Sequence, residues 1–111
     1  MAGNLRELVL SAVTTGTSAE FDATNYKSVE CWCEFSAGTS AGVVTLEGAA
    51  RPGFTGAWVS LGTATQVAST VVRIPAATAG GAGNVAIGAI RARVSTTIVG
   101  GTVTVFLLAN S

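Results

Sequence analysis

Histidine is absent from this chain, and aspartate occurs once, at Asp22. The first absence removes the usual base that activates a serine or cysteine nucleophile, and with it the commonest metal ligand. Charge is scarce as well. Six basic and six acidic residues make up 11% of the 111 residues, against about a quarter in an ordinary soluble domain. The net charge is zero, so nothing supplies the basic surface that nucleic-acid phosphates or an anionic membrane require. No stretch approaches the about 18 apolar residues of a membrane helix. The start, Met1-Ala2-Gly3-Asn4-Leu5-Arg6-Glu7, lacks a signal peptide's basic opening and apolar core, and Ala2 breaks the myristoylation pattern. These absences predict no cofactor, no nucleic-acid partner and no membrane partner. They also predict a protein kept in the cytosol unless it leaves as part of a particle.

What is present is Gly, Ala, Val and Thr, with 49% hydrophobic residues overall. Val and Thr are stiff at the first side-chain torsion and favour strands, while scattered glycines disfavour long helices. Period-two alternation is cleanest at Val29-Glu30-Cys31-Trp32-Cys33-Glu34-Phe35. It puts Val29, Cys31, Cys33 and Phe35 on one side, and Glu30, Trp32 and Glu34 on the other. Ile90-Arg91-Ala92-Arg93-Val94 repeats the pattern with both arginines outward. Thr102 to Leu107 does so too, except that Phe106 interrupts its polar side. Val43 to Glu47, Ala57 to Leu61, Val67 to Ile74 and Leu5 to Val13 are weaker strands; the last also has Leu5, Leu8 and Val9 at the spacing of a short helix. Turn chemistry separates them at Ala37-Gly38-Thr39-Ser40, Arg51-Pro52-Gly53, Ala79 to Asn84 and Gly100-Gly101. The expectation is one domain over residues 1–111: an all-β, jelly-roll-like antiparallel sandwich of about seven or eight strands.

Few constellations could carry chemistry. Glu30 and Glu34 share a strand face with α-carbons about 13 Å apart; we read them as solvated or ion-paired rather than as a glycosidase pair. Cys31 and Cys33 point to one face with α-carbons about 7 Å apart, at the limit of disulfide geometry. Zinc would need two further ligands from outside the chain. They are expected to be reduced, buried and apolar in behaviour. Gly81-Ala82-Gly83-Asn84-Val85-Ala86 matches the dinucleotide fingerprint formally, but a β-rich stretch follows it and no acid lies beyond Glu47. Trp58 is expected in the core, with sugar stacking as the alternative. Trp32, Glu30, Glu34, Arg91 and Arg93 are the candidate interface residues. If their strands are neighbours they pair across them; otherwise they are exposed anchors for a partner.

Two stretches carry a resemblance. One is Gly42-Val43-Val44-Thr45-Leu46-Glu47-Gly48, a loop, then Trp58-Val59-Ser60-Leu61. The other is Ile90-Arg91-Ala92-Arg93-Val94, a connector, then Gly101-Thr102-Val103-Thr104-Val105. Together they resemble small β-sandwich virion structural proteins of tailed bacteriophages, among them head decoration and fibre-like proteins. The resemblance implies no catalytic residues, and symmetric assembly, often trimeric, on a capsid or tail.

The combined expectation is a non-enzymatic capsid decoration or cement protein on the outside of the assembled head. It would be built in the host cytoplasm and reside in the virion. Its partners would be itself, as a homo-oligomer and possibly a trimer, and the major capsid protein or other virion proteins. The alternative is a receptor- or carbohydrate-binding module of a tail or fibre. The charge deficit adds to the expectation of assembly. So do strand edges with few of the usual guards: one lysine, Lys27, and two prolines, both assigned to turns.

Overall fold

Alternating burial follows the alternating sequence into a computed structural model that describes residues 5–23, 26, 28–78 and 88–110. Along Ser28–Phe35, Val29, Cys31, Cys33 and Phe35 are buried, while Trp32 and Glu34 are exposed. Among the described residues there are eight strands: β1 (Leu5–Val13), β2 (Phe21–Asp22), β3 (Ser28–Phe35), β4 (Ala41–Ala49), β5 (Val59–Thr65), β6 (Val71–Thr78), β7 (Ala89–Val99) and β8 (Val103–Asn110). They form two four-stranded sheets, ordered β1-β8-β3-β6 and β2-β7-β4-β5.

Every paired strand runs antiparallel. The first strand pairs with the last, the second with the seventh, the third with the sixth and the fourth with the fifth. This nesting is a long hairpin rolled into a sandwich, the jelly roll. Between the sheets lie Leu46, Ile74, Ile90 and Leu107, with Val44, Val103, Val105 and both cysteines, all fully buried. Removing each large aliphatic side chain from water contributes about 1.5–3 kcal/mol.

At one end of the sandwich the β3–β4 and β7–β8 turns press backbone against backbone. A Cβ on Gly38, which has φ +88°, would stand 2.9 Å from the Gly100 carbonyl oxygen. Only glycine combines that φ with that approach. Ser36 ties the two turns together, its Oγ accepting from the Thr102 N–H at 2.9 Å.

Leu5–Val13 is a strand throughout, as its alternation predicts and against its helical spacing, because it pairs with β8 from Leu5↔Ala109 to Val13↔Val103. Two expectations change. Pro75 is not in a turn. It lies within β6, an edge strand, beside a register shift between Val29 and Cys31 on β3. An edge bulge is where a missing N–H is tolerated. The edges are also better guarded than composition implies. β1 has two register shifts and Ala12 at φ 48°, β2 is two residues long, and β5 meets a shift between Leu46 and Glu47. Lys27, the Ala79 to Asn84 turn and the Gly81 to Ala86 fingerprint lie outside the described residues.

Candidate functional site

The five sequence candidates do not gather at one place. Glu30, Trp32 and Glu34 are on β3 and Arg91 and Arg93 on β7, and the two strands belong to different sheets. Their side chains leave opposite faces of the sandwich, so the two acids and two arginines never meet. Each group has other neighbours.

On the second sheet, Glu47 of β4 faces Arg91 of β7 in register. Its Oε1 accepts from Arg91 Nε and its Oε2 from Arg93 Nε, both at 2.9 Å. The Arg91 guanidinium lies 4.3 Å above the Trp58 ring, and the Trp58 Nε1–H donates to the Phe54 carbonyl at 3.0 Å. Trp58 is thus outside the core, half-buried in a polar stack. Glu47 is almost fully buried under this arrangement. A carboxylate whose two oxygens are both taken by guanidinium groups is a structural clasp, not a free base. The weak alternation of Val43 to Glu47 gives no sign of this role, which depends on which strand lies beside β4.

On the first sheet the outer face is different in kind. Leu8 of β1, Phe106 of β8, Trp32 of β3 and Arg73 of β6 form one row across the sheet. Arg6, Leu108 and Glu30 form the row on one side of it, and Thr104, Glu34 and Val71 the row on the other. Leu8 is 55% exposed and Trp32 37%. Arg6 lies 5.9 Å from the Phe106 ring centre. Glu30 is engaged, accepting from Trp32 Nε1 at 2.8 Å and Arg73 Nε at 3.0 Å. Glu30 thus links the indole of Trp32 to Arg73 across β3 and β6. A shallow depression of about 230 Å³ lies among Arg6, Trp32, Glu34, Phe106 and Leu108. The signal for this face was the outward Phe106, followed by Leu108 with the same parity.

Beneath Trp32, the two thiols stand 3.7 Å apart, buried and free. The hydrogen bond with Cys33, then burial, pushes the Cys31 thiol far up, so it stays protonated and unreactive. Among the described residues no group of three or more His, Cys, Asp or Glu side chains is placed to share a metal ion. Nor is any described helix long and apolar enough to cross a membrane.

No protein-family profile matches this chain, and no curated protein sequence matches it. Solved structures do share its fold. The SPBc2 prophage-derived protein YomS superposes with a TM-score of 0.66 at 12% identity, over 97% of this chain and 93% of that one. The PBSX exported protein XepA gives 0.64 at 10% identity, over 96% of this chain and 37% of that one. The sandwich is therefore nearly the whole of YomS and about a third of XepA, and at these identities the likeness is one of fold.

Proposed function

We propose that this chain is a non-enzymatic structural protein of a bacteriophage particle: a decoration or cement protein on the outside of the assembled head. The observation that carries this reading is a charge-poor jelly roll whose first sheet turns an apolar face outward, at Leu8, Trp32, Phe106 and Leu108. The fold shared with a prophage-derived protein along nearly its whole length supports it. Such a protein needs complementary surfaces and repetition, not reactive groups. Binding the shell but not its free subunits stabilises the shell by mass action, and many small contacts add avidity.

The test adds the purified chain to heads made by the genome that encodes it, and separately to their unassembled shell protein. Co-sedimentation with heads alone, together with a raised thermal midpoint of the heads, is the expected result. Failure to bind either would contradict the proposal. The depression beside Trp32 favours one second reading, a receptor- or carbohydrate-binding module of a tail or fibre. There a sugar ring would stack on the indole, with Arg6 and Glu34 in reach of its hydroxyls. Immunogold label confined to the tail, with a glycan-array signal lost in Trp32→Ala, would select it.

A further inference from the structure

The register of the first sheet places Arg6 and Glu34 symmetrically about Phe106. Arg6 sits opposite Leu108, Leu8 opposite Phe106, Phe106 opposite Trp32, and Thr104 opposite Glu34. Arg6 is therefore one strand away from Phe106 and two residues along; Glu34 is one strand away on the other side and two residues back. With strands about 4.8 Å apart and about 3.4 Å of rise per residue, the diagonal from Arg6 to Glu34 is roughly 17 Å, with Phe106 at its midpoint. Among the described residues neither Arg6 nor Glu34 has an ion-pair partner. The face thus has an apolar centre and, at two ends of one diagonal, a cation and an anion without an ion-pair partner among the described residues, the Arg6 guanidinium resting 5.9 Å from the Phe106 ring centre.

From this geometry we infer that the outer face of β1-β8-β3-β6 is a two-fold self-association surface, whose occupant is a second copy of the same chain. An axis lying in the plane of the face, over Phe106 and perpendicular to the diagonal, exchanges the diagonal's two ends. Each Arg6 then meets Glu34 of the second copy, so two ion pairs form per interface. Phe106 meets its own copy on the axis, and Trp32 falls against Leu108 of the other copy. This is the self-complementarity that an isologous contact demands. The strands of the two copies cross at roughly 70°, close to the orthogonal class of sheet packing. Covering the apolar centre with an uncharged partner would strand both ionic groups at its rim, which disfavours such a partner. A three-fold ring would instead need two different patches. The inference rests on the same face that carries the proposed function and assigns that face to a second copy, so attachment to a particle would fall to the dimer's other surfaces; the oligomeric state tests the first and binding to heads the second.

Sedimentation equilibrium of the full chain across micromolar concentrations tests it, with R6E, E34R and the double R6E/E34R. Circular dichroism melts confirm that each variant is folded. The wild type is expected to be a dimer. Each single reversal sets like charges together twice and should weaken the dimer about tenfold or more. The double variant restores opposite charges and should return to within about threefold of wild type. Phe106→Ala, which removes the on-axis contact, should also weaken the dimer about tenfold. A monomer at every concentration, a trimer, or a double variant no better than the singles would overturn the inference. So would a monomer whose Trp32 fluorescence responds to free sugars.

Discussion

Glu47→Gln tests the clasp on the second sheet with almost no change of shape. The carboxylate accepts from two arginines at 2.9 Å each. Glutamine keeps one oxygen but turns an NH₂ donor toward the other guanidinium, and it removes the charge that both bonds use. Hydrogen bonds to charged groups contribute about 1.5–3 kcal/mol each. Here the arginine side chains keep 25% and 42% of their exposure while Glu47 keeps 8%, so screening by water places each bond at or below the low end of that range. The loss is therefore about 2–3 kcal/mol. Unfolding entropy of about 2.1 cal/mol/K per residue over 111 residues converts this to a fall of about 10 °C in the midpoint of a circular dichroism melt. Arg93→Ala should cost little more in the Glu47→Gln background, because the two share one interaction. A fall below about 2 °C, or full additivity of the two substitutions, would refute the clasp.

Cys31 couples stability to alkaline pH. Its folded-state pKa is raised by the hydrogen bond with Cys33 and by burial. The thiol's contribution is complete below the unfolded value of about 8.5 and is lost above it, where only the unfolded chain gives up its proton. Urea unfolding should show stability falling by up to about 1.4 kcal/mol per pH unit from this thiol between about pH 8.5 and pH 10. Cys31→Ala should remove that part of the slope. Gly42 has φ +136°, and a Cβ there would meet the Ile98 Cα at 2.9 Å and press on its Cδ1. Gly42→Ala should therefore destabilise by about 2 kcal/mol or more in the same assay. Trp32→Phe should change the melt by less than about 1 kcal/mol, since it removes one bond from an exposed indole to Glu30; a larger change would mean that Trp32 holds the sheet together.

The strands were legible where one side of the alternation is polar. Val29 to Phe35 and Ile90 to Val94 fall inside β3 and β7 with the inward residues as expected. β2 is two residues long and leaves no period to read. Val67 to Ile74 straddles a boundary, since β6 begins at Val71 after a turn with Ser69 at φ 56°. Neighbour relations were not legible. Alternation gives each strand its faces but not its partners, so it leaves open whether Arg91 and Arg93 pair with Glu30 and Glu34 or stand free, and only the register gives them Glu47. Trp58 departs from the core expected of a tryptophan in a small sandwich because a guanidinium stack half-buries its indole at the rim. Phe106 stood against its pattern in the sequence and marks the centre of the outward apolar face.

The proposed role on a particle is tested most directly by quantitative mass spectrometry of gradient-purified particles made by the genome that encodes this chain. As a head decoration protein it should band with complete particles after high-salt washing, at a copy number comparable with that of the major shell protein. Recovery only in the soluble fraction, with none in washed particles, would contradict the account.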